Sequence, residues 1–529
     1  MMNLYVLRNN TLERFFPKGT RFSGYGDISS IPGDADIYLW FYQAPLHSDA
    51  GALALELASY QRQLSVALQS IPQGKTVLAV TAELLWCPQA DESDLRAREA
   101  VEAYNAFLRG QEKTRASFKV LELSNFTRRY KASELLDWKF WFLSQMGLSP
   151  ALTADFKRWF ERELDSVALK RKKCLVLDLD NTLWGGVLGE EGPEGIKIGG
   201  DYPGKAFLFF QEALKELSRS GVILAVCSKN NEADVLEAWE KNPFLVLRKD
   251  DFAARRINWN NKADNIREIA SELNIGLDSL VFVDDNPSER EAVRQLLPDV
   301  QVPEFPEQPY SLPEFYARLV EDYFKVYKIT DEDRGKTEQY KANAARSEEQ
   351  KRFGSLEDFI RSLDIHLSIK EADAYSIPRI AQMTQKTNQF NLTTERLTDS
   401  EVSSLLQDGA RIFTLSVRDR FGDSGISAAL MVCDGRIRNL LVSCRVLGKG
   451  IEKAFVKTVL GILRDEGLGT LKAGYLASPK NSQTRDFYES CGFVCTLDPQ
   501  ELKDYEIDLS KADSAAEDCY TIEYEGKNI

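Results

Sequence analysis

Apolar and polar positions alternate along the chain in three distinct zones. In residues 1–165, short apolar runs at 34–42 (DADIYLWFY), 76–84 (TVLAVTAEL) and 118–123 (FKVLEL) are separated by helix-period stretches near 50–71 and 91–112. This βαβαβ pattern predicts a parallel sheet flanked by helices. A basic boundary, LKRKK at 169–173, precedes a second zone. There, CLVLDLDN (174–181), GVILAVCSKN (221–230) and SLVFVDDNP (279–287) are continuously apolar and end abruptly in polar residues, as buried parallel strands do. Helical patterns at about 204–220, 231–241 and 261–274 lie between them, and the proline-rich VPEFPEQP (302–309) predicts an extended exit. Segment 331–352 carries twelve charged residues in twenty-two and reads as an exposed helical connector. The third zone predicts strands at 411–419, 426–434, 438–443 and 470–477 with an amphipathic helix at 451–467.

The expected fold class is therefore multidomain α/β. The boundaries are an N-terminal α/β domain (1–165), a second parallel α/β domain (166–310), a connector (311–352) and an α+β domain (353–529). A length of 529 residues fits this division, because one hydrophobic core does not organise so long a chain. Apolar residues at 43% and charged residues at 28% exclude a disordered chain. The net charge of −14, with no obvious basic face, argues against a duplex nucleic-acid partner. There is no run of eighteen apolar residues and the start lacks a basic leader with a long apolar stretch, so no membrane association and a cytoplasmic location are expected. Eight scattered cysteines without a CxxC pair, and two histidines, predict neither a zinc site nor a disulfide framework.

Chemistry is expected where apolar strands of an open α/β sheet end, because ligands bind in the crevice beyond their carboxyl ends. The first strand of the second zone delivers Asp178 and Asp180, then Asn181 and Thr182; the second delivers Cys227, Ser228, Lys229 and Asn230; the third delivers Asp284 and Asp285. Carboxylates converging on one crevice repel each other unless a divalent cation joins them. Magnesium suits this all-oxygen donor set, and its natural reaction here is phosphoryl transfer. Asp178 is the candidate nucleophile and Asp180 the acid/base. Ser228 would hold a phosphate oxygen, as would Thr182, Lys229 and Asn230 around it. Lys262, opening the helix before the third strand, is the preferred point charge on the transferring group, with Lys229 as runner-up.

DLDNT (178–182), the strand-end Ser228, Lys262 and VDDN (283–286) resemble, in order and spacing, the four motifs of the haloacid dehalogenase (HAD) superfamily. The resemblance implies a Rossmann-like sheet, Asp178 as nucleophile, Asp180 as acid/base with its backbone carbonyl on magnesium, Ser228 and Lys262 on phosphate, and Asp284 as metal ligand. Asp285 is a further candidate. DLDNTLWGGVLGEEG (178–192), CSKNN (227–231), FVDDNPSERE (282–291), KTNQFNLT (386–393) and SCRVLGKGIEKAF (443–455) together resemble the FkbH-like proteins over roughly 120 to 500. That resemblance implies a polyketide-pathway enzyme that takes the glyceryl group of 1,3-bisphosphoglycerate, removes its phosphate and loads the acyl group onto the phosphopantetheine thiol of an acyl carrier protein. Two alternatives are a plain magnesium phosphatase of a small phosphorylated metabolite and a non-catalytic carrier-binding platform. The glycine-rich stretch from Trp184 to Gly200 is read as a flap over the donor or an ordinary surface hairpin, and Cys227 and Cys444 are candidate acyl-carrying thiols.

The turn Arg445-Val446-Leu447-Gly448-Lys449-Gly450 lies between an apolar strand and a helix, a setting that favours a pyrophosphate. It resembles the coenzyme A loop of GCN5-related N-acetyltransferases (GNAT). The resemblance implies that Arg445, Gly448, Gly450, Asn481 and Tyr488 serve coenzyme A or pantetheine, with Tyr488 as general acid. KTNQFNLT is placed either along that groove or as a strand cap. The first domain faintly resembles esterase-like (SGNH) modules, but its one histidine, His47, sits in a loop and predicts a scaffold rather than a hydrolase.

Overall fold

In the computed structural model the apolar runs form three separate sheets. It describes residues 3–528 apart from 47–48, 87–90, 92, 116, most of 330–352, 444–445, 500, 513–518 and 526. Two compact units emerge: Met1–Ala168 with Leu397–Asp408, and Leu169–Arg396 with Gly409–Ile529. Residues 397–408 thus group with the first unit rather than with the last zone. His47, most of the charged 331–352 segment, Cys444 and Arg445 lie outside the described residues. Among the described residues, no helix is long and apolar enough to cross a membrane.

The first unit holds five parallel strands in the order β2-β1-β3-β4-β5: β1 (Leu4–Arg8), β2 (Arg21–Tyr25), β3 (Ile37–Phe41), β4 (Thr76–Val80) and β5 (Phe118–Leu121). The last three are the expected strands. The first two were not predicted: the RFSGY edge strand is half-exposed, whereas LYVLR is buried throughout and as long as β3 and β4. Helices Ala50–Ser70 and Arg96–Thr114 make the crossovers, and Asp49 caps the first by accepting from the Gly51 and Ala52 amides. Trp40 donates its indole N–H to the Tyr104 hydroxyl at 2.7 Å inside the core, which satisfies both polar tips.

The second unit begins with a four-stranded parallel sheet, order β8-β7-β6-β9: β6 (Cys174–Leu177), β7 (Ile223–Ser228), β8 (Ala254–Ile257) and β9 (Leu280–Val283). Three of these are the expected strands, and their side chains are buried throughout. The fourth, ARRI, escaped prediction because it is an edge strand that leaves both arginines partly solvated. Helices Gly204–Arg219, Glu232–Lys241 and Lys262–Glu272 match the predicted patterns, and Pro287–Leu296 adds another. The expected connector starts too early. Leu312, Phe315, Leu319 and Phe324 are buried in the same core as Leu175, Leu177 and Phe210, so residues 312–324 complete this domain.

The last sheet has nine strands in the order β15-β16-β14-β13-β12-β11-β10-β17-β18. They are β10 (Ile365–Glu371), β11 (Arg411–Asp419), β12 (Gly422–Cys433), β13 (Arg436–Val442), β14 (Thr470–Leu476), β15 (Val494–Leu497), β16 (Leu502–Asp508), β17 (Tyr520–Tyr524) and β18 (Lys527–Asn528). Between β13 and β14 runs the predicted helix, Ile451–Asp465. These two strands are parallel but share a single register pair, Arg436 with Lys472. Such a splayed parallel pair joined through a glycine turn and helix is the GNAT-like architecture the sequence suggested.

We predict that Phe315→Ala costs about 3–5 kcal/mol in denaturant unfolding of the second unit, the range for a fully buried aromatic. A loss below about 1 kcal/mol would return residues 312–324 to a solvated connector.

Candidate active site

At the carboxyl ends of β6, β7 and β9 the chain turns sharply, and the polar residues that close each strand meet. Asp178 follows β6 and its amide donates to the Val283 carbonyl at 3.0 Å, so the β6–β9 ladder itself sets its position. Lys262 Nζ lies 2.9 Å from Asp178 Oδ2 and 2.5 Å from Asp284 Oδ2. All three side chains are at least nine-tenths buried. Burial opposes the lysine charge, yet the two carboxylates outweigh it and hold Lys262 above the ordinary lysine range. Burial, reinforced by the charge of Asp178, pushes Asp284 up to about 6. The same causes raise Asp285 to about 6.

Carboxylate oxygens of Asp178, Asp284 and Asp285 lie within 4.8 Å of one another, and Asp178 Oδ1 is buried without a hydrogen-bond partner. Three carboxylates against one lysine leave excess negative charge in a poorly solvated pocket. A hard divalent cation fits this donor set, because its charge offsets the repulsion and its oxygen preference matches the orphaned atom. Asp178 and Asp284 were expected as ligands; Asp285 is the third carboxylate of the cluster.

Asp180 has a different role in the geometry. Its Oδ1 accepts from Trp184 Nε1 at 2.9 Å and from the Leu188 amide at 3.0 Å, while Oδ2 accepts from Asn230 Nδ2 at 3.0 Å. Its carboxylate therefore stands outside the three-carboxylate cluster, where the sequence reading assigns only its backbone carbonyl to the metal. Ligation by Asp180 is left to its backbone carbonyl. Burial raises its pKa, the direction an acid that protonates a leaving group requires.

The remaining predicted phosphate ligands divide. Ser228 and Asn230 are buried side by side, Asn230 Nδ2 donating to Ser228 Oγ at 3.2 Å as well as to Asp180. Thr182 instead accepts the Asp285 amide on its hydroxyl at 3.1 Å from a fully buried position. It thereby positions the loop that bears the third carboxylate. Lys229 is paired with Glu289 at 2.5 Å, which leaves Lys262 as the lysine of the cluster. Cys227 is fully buried, its thiol pushed up to about 12 by burial, so it is a packed hydrophobe rather than an acyl-carrying thiolate.

Sequence reading missed two positioning residues. Arg290 donates Nη1 to the carbonyls of Asp284 at 2.9 Å and Asp285 at 2.7 Å, fixing the loop that bears both carboxylates. Its signal was present in NPSERE, where Asn286 caps the helix and sets Arg290 one turn later on the inward face. Trp184 orients Asp180. The stretch after it is no loose flap: Gly185 and Lys197 exchange backbone hydrogen bonds at 3.0 and 2.8 Å, while Leu188, Ile196 and Ile198 are buried in the core.

In the last sheet, Gly448 and Gly450 adopt left-handed conformations, φ 80° and 73°, that the turn requires. The opening between β13 and β14 is bridged in part by the chain itself. The Val442 amide donates to the Phe390 carbonyl at 3.0 Å, Leu392 to Leu440 at 3.2 Å, and Leu476 to Leu392 at 2.8 Å. Within KTNQFNLT, Phe390–Leu392 thus form a short backbone bridge, Asn391 opposite Leu441, that spans the two splayed edges. Asn481, expected to face a coenzyme, is fully buried and donates to the carbonyls of Asn391 and Leu476 at 3.0 and 2.9 Å. Tyr488 stands 1% exposed among Phe487, Phe493 and Tyr505, and burial holds its hydroxyl protonated. Both are core residues in this arrangement.

No family model matches the chain, and no curated protein matches it. Among solved structures, the N-terminal part of protein BF1531 from Bacteroides fragilis, containing a phosphatase domain complexed with magnesium, is 31% identical over 62% of this chain and 94% of that chain, with a TM-score of 0.52. The spermidine/spermine N-acetyltransferase SpeG from Vibrio cholerae, in mutant forms, is 15% identical over 28% of this chain and 95% of that one, with a TM-score of 0.23. The ribosomal-protein-S18-alanine N-acetyltransferase from Escherichia coli is 17% identical over 28% and 96%, also at 0.23. The strand-end aspartates, the buried lysine and the likeness to BF1531 define a magnesium-type HAD phosphatase domain. The chain belongs to the family of that protein, with FkbH-like motifs and a GNAT-like sheet following the phosphatase domain.

We predict that Asp285→Asn raises the magnesium concentration for half-maximal phosphatase activity by about tenfold or more while the circular dichroism spectrum stays unchanged. An unaltered magnesium midpoint would remove Asp285 from the ligand set. Cys227→Ala should retain most activity, and abolition of turnover in a folded variant would reinstate the thiol.

Proposed function

We propose that the protein is a magnesium-dependent phosphatase and glyceryl transferase that loads a three-carbon acyl unit from 1,3-bisphosphoglycerate onto the phosphopantetheine thiol of an acyl carrier protein in the cytoplasm. The observation that carries the phosphatase part is the buried Asp178–Lys262–Asp284 cluster with its unpartnered Asp178 Oδ1. The glyceryl and carrier parts rest on the FkbH-like motifs.

Magnesium held by Asp178, Asp284 and Asp285 would neutralise the carboxylates and draw charge from the transferring phosphoryl group. Asp178 attacks phosphorus of the ester at C3, forming an aspartyl-phosphate as the P–O bond breaks. Asp180, aligned by Trp184, Leu188 and Asn230, gives its proton to the departing alkoxide and then takes one from the water that hydrolyses the acyl phosphate. Lys262 and Ser228 hold the equatorial oxygens. Thioester formation is a separate bond change. The carrier thiolate attacks the C1 carbonyl and expels the C1 phosphate, so two phosphates leave for each glyceryl group loaded.

A plain phosphatase of a small phosphorylated metabolite is the second reading, supported by the backbone bridge that Phe390–Leu392 makes across part of the β13–β14 opening. The two readings separate in one assay. With magnesium, 1,3-bisphosphoglycerate and phosphopantetheinylated carrier, the carrier should gain one glyceryl mass and release two phosphates. Phosphate release without a carrier adduct would support the plain phosphatase. Asp178→Asn should lower phosphate release by about three orders of magnitude or more with the fold intact, and unchanged release would overturn the nucleophile.

A further inference from the structure

The cations that close the phosphatase strands are not equally committed. Lys262 is locked between Asp178 and Asp284 with its side chain 4% exposed. Arg290 is engaged by the carbonyls of Asp284 and Asp285 and by Glu304. Lys229 differs: it follows Ser228 at the end of β7, its side chain is 38% exposed, and it pairs with Glu289 at 2.5 Å. Glu289 stands in the first turn of Pro287–Leu296, the helix that follows β9. In the sheet order β8-β7-β6-β9, β6 lies between the two strands that carry this pair. The Lys229–Glu289 bond therefore bridges the crevice past the end of β6, which delivers Asp178, over two strand spacings or roughly 10 Å. The charges agree with that placement. Burial raises the Cys227 thiol most, Lys262 opposes it, and Asp178, Asp284 and Glu289 all add to it, so Glu289 acts on the same buried spot as the cluster.

We propose that Lys229 is a specificity-determining residue that seats a second phosphate of the substrate, and that Glu289 holds it across the crevice until such a substrate arrives. The inference rests on the phosphatase reading of Asp178 and deepens it by naming what the site selects: esters with a second phosphate a few carbons from the one transferred. Lys229 directly follows Ser228, so a phosphate held by Ser228 and Lys262 leaves the rest of the molecule at the open rim where Lys229 stands. An ion pair this exposed is weakly held. A phosphate dianion offers the ammonium more charge than a single carboxylate does, so it displaces Glu289. The exchange also breaks the bridge across the end of β6, and the group that binds is the group that opens. A monophosphate leaves the pair closed. In the donor proposed above, the second group is the C1 phosphate, held while Asp178 attacks phosphorus at C3.

The test compares phosphate release from glycerol 1,3-bisphosphate and from glycerol 3-phosphate by the full chain with magnesium. The unaltered protein should favour the bisphosphate by about tenfold or more in kcat/KM, chiefly through KM. Lys229→Met should reduce that preference to about twofold, the statistical factor for two equivalent phosphates, and Lys229→Arg should retain most of it. Glu289→Gln should lower KM for the bisphosphate several-fold, because Lys229 then has no partner to leave. An ion pair that merely joins β7 to the following helix predicts otherwise: removing either partner would lower activity toward both esters alike. Thermal unfolding of each variant verifies that it is folded. No preference in the unaltered protein, an undiminished preference in Lys229→Met, or a lost preference in Glu289→Gln would overturn the Lys229 assignment and leave the Asp178 chemistry standing. No release from either ester would overturn the phosphatase reading and this inference with it.

Discussion

The structure of the active centre depends on one electrostatic constraint: three carboxylates share a buried pocket with a single lysine. Lys262 spans Asp178 and Asp284 at hydrogen-bond distance, but one positive charge does not balance three negative ones in a medium that screens poorly. Burial first, and repulsion from Asp178 second, raise the pKa values of Asp284 and Asp285. A divalent cation held there would offset the excess negative charge. The pocket is therefore built around charge that a metal and a phosphate are to complete.

That pocket is held rigidly by residues that touch neither group. Arg290 clamps the carbonyls of Asp284 and Asp285, Thr182 receives the Asp285 amide, and Trp184 with Leu188 fixes Asp180. Each acts on backbone or on a carboxylate oxygen, so the geometry is set before substrate arrives. Such preorganisation is what phosphoryl transfer asks of a protein, since its catalysis is chiefly positioning and electrostatic stabilisation. The short segment from Trp184 to Gly200 belongs to this frame through its buried leucine and isoleucines.

The second-zone sheet and its cluster were legible because buried parallel strands write themselves as apolar runs, and their polar ends are where function sits. Asp178, Asp180, Ser228, Lys262 and Asp284 come together as that reasoning required. Strands with mixed faces were not legible: ARRI keeps both arginines partly solvated, and RFSGY fully buries only its serine. The bond from the Asp285 amide to Thr182 was not legible, because a threonine beside an aspartate looks the same in sequence whatever its hydroxyl accepts. In the last sheet, the glycine turn announced the architecture but not its occupancy. Nothing in KTNQFNLT tells that Phe390, Asn391 and Leu392 supply the backbone that joins β13 to β14.

The central claim, that a strand-end carboxylate captures phosphorus, is tested most directly by acid-quenching a single turnover with substrate carrying radiolabelled phosphate and mapping the label by peptide. The account predicts an acid-stable, hydroxylamine-sensitive label on the peptide that contains Asp178, formed with magnesium and absent when the metal is chelated. Label on any other residue, or turnover that never labels the protein, would contradict it.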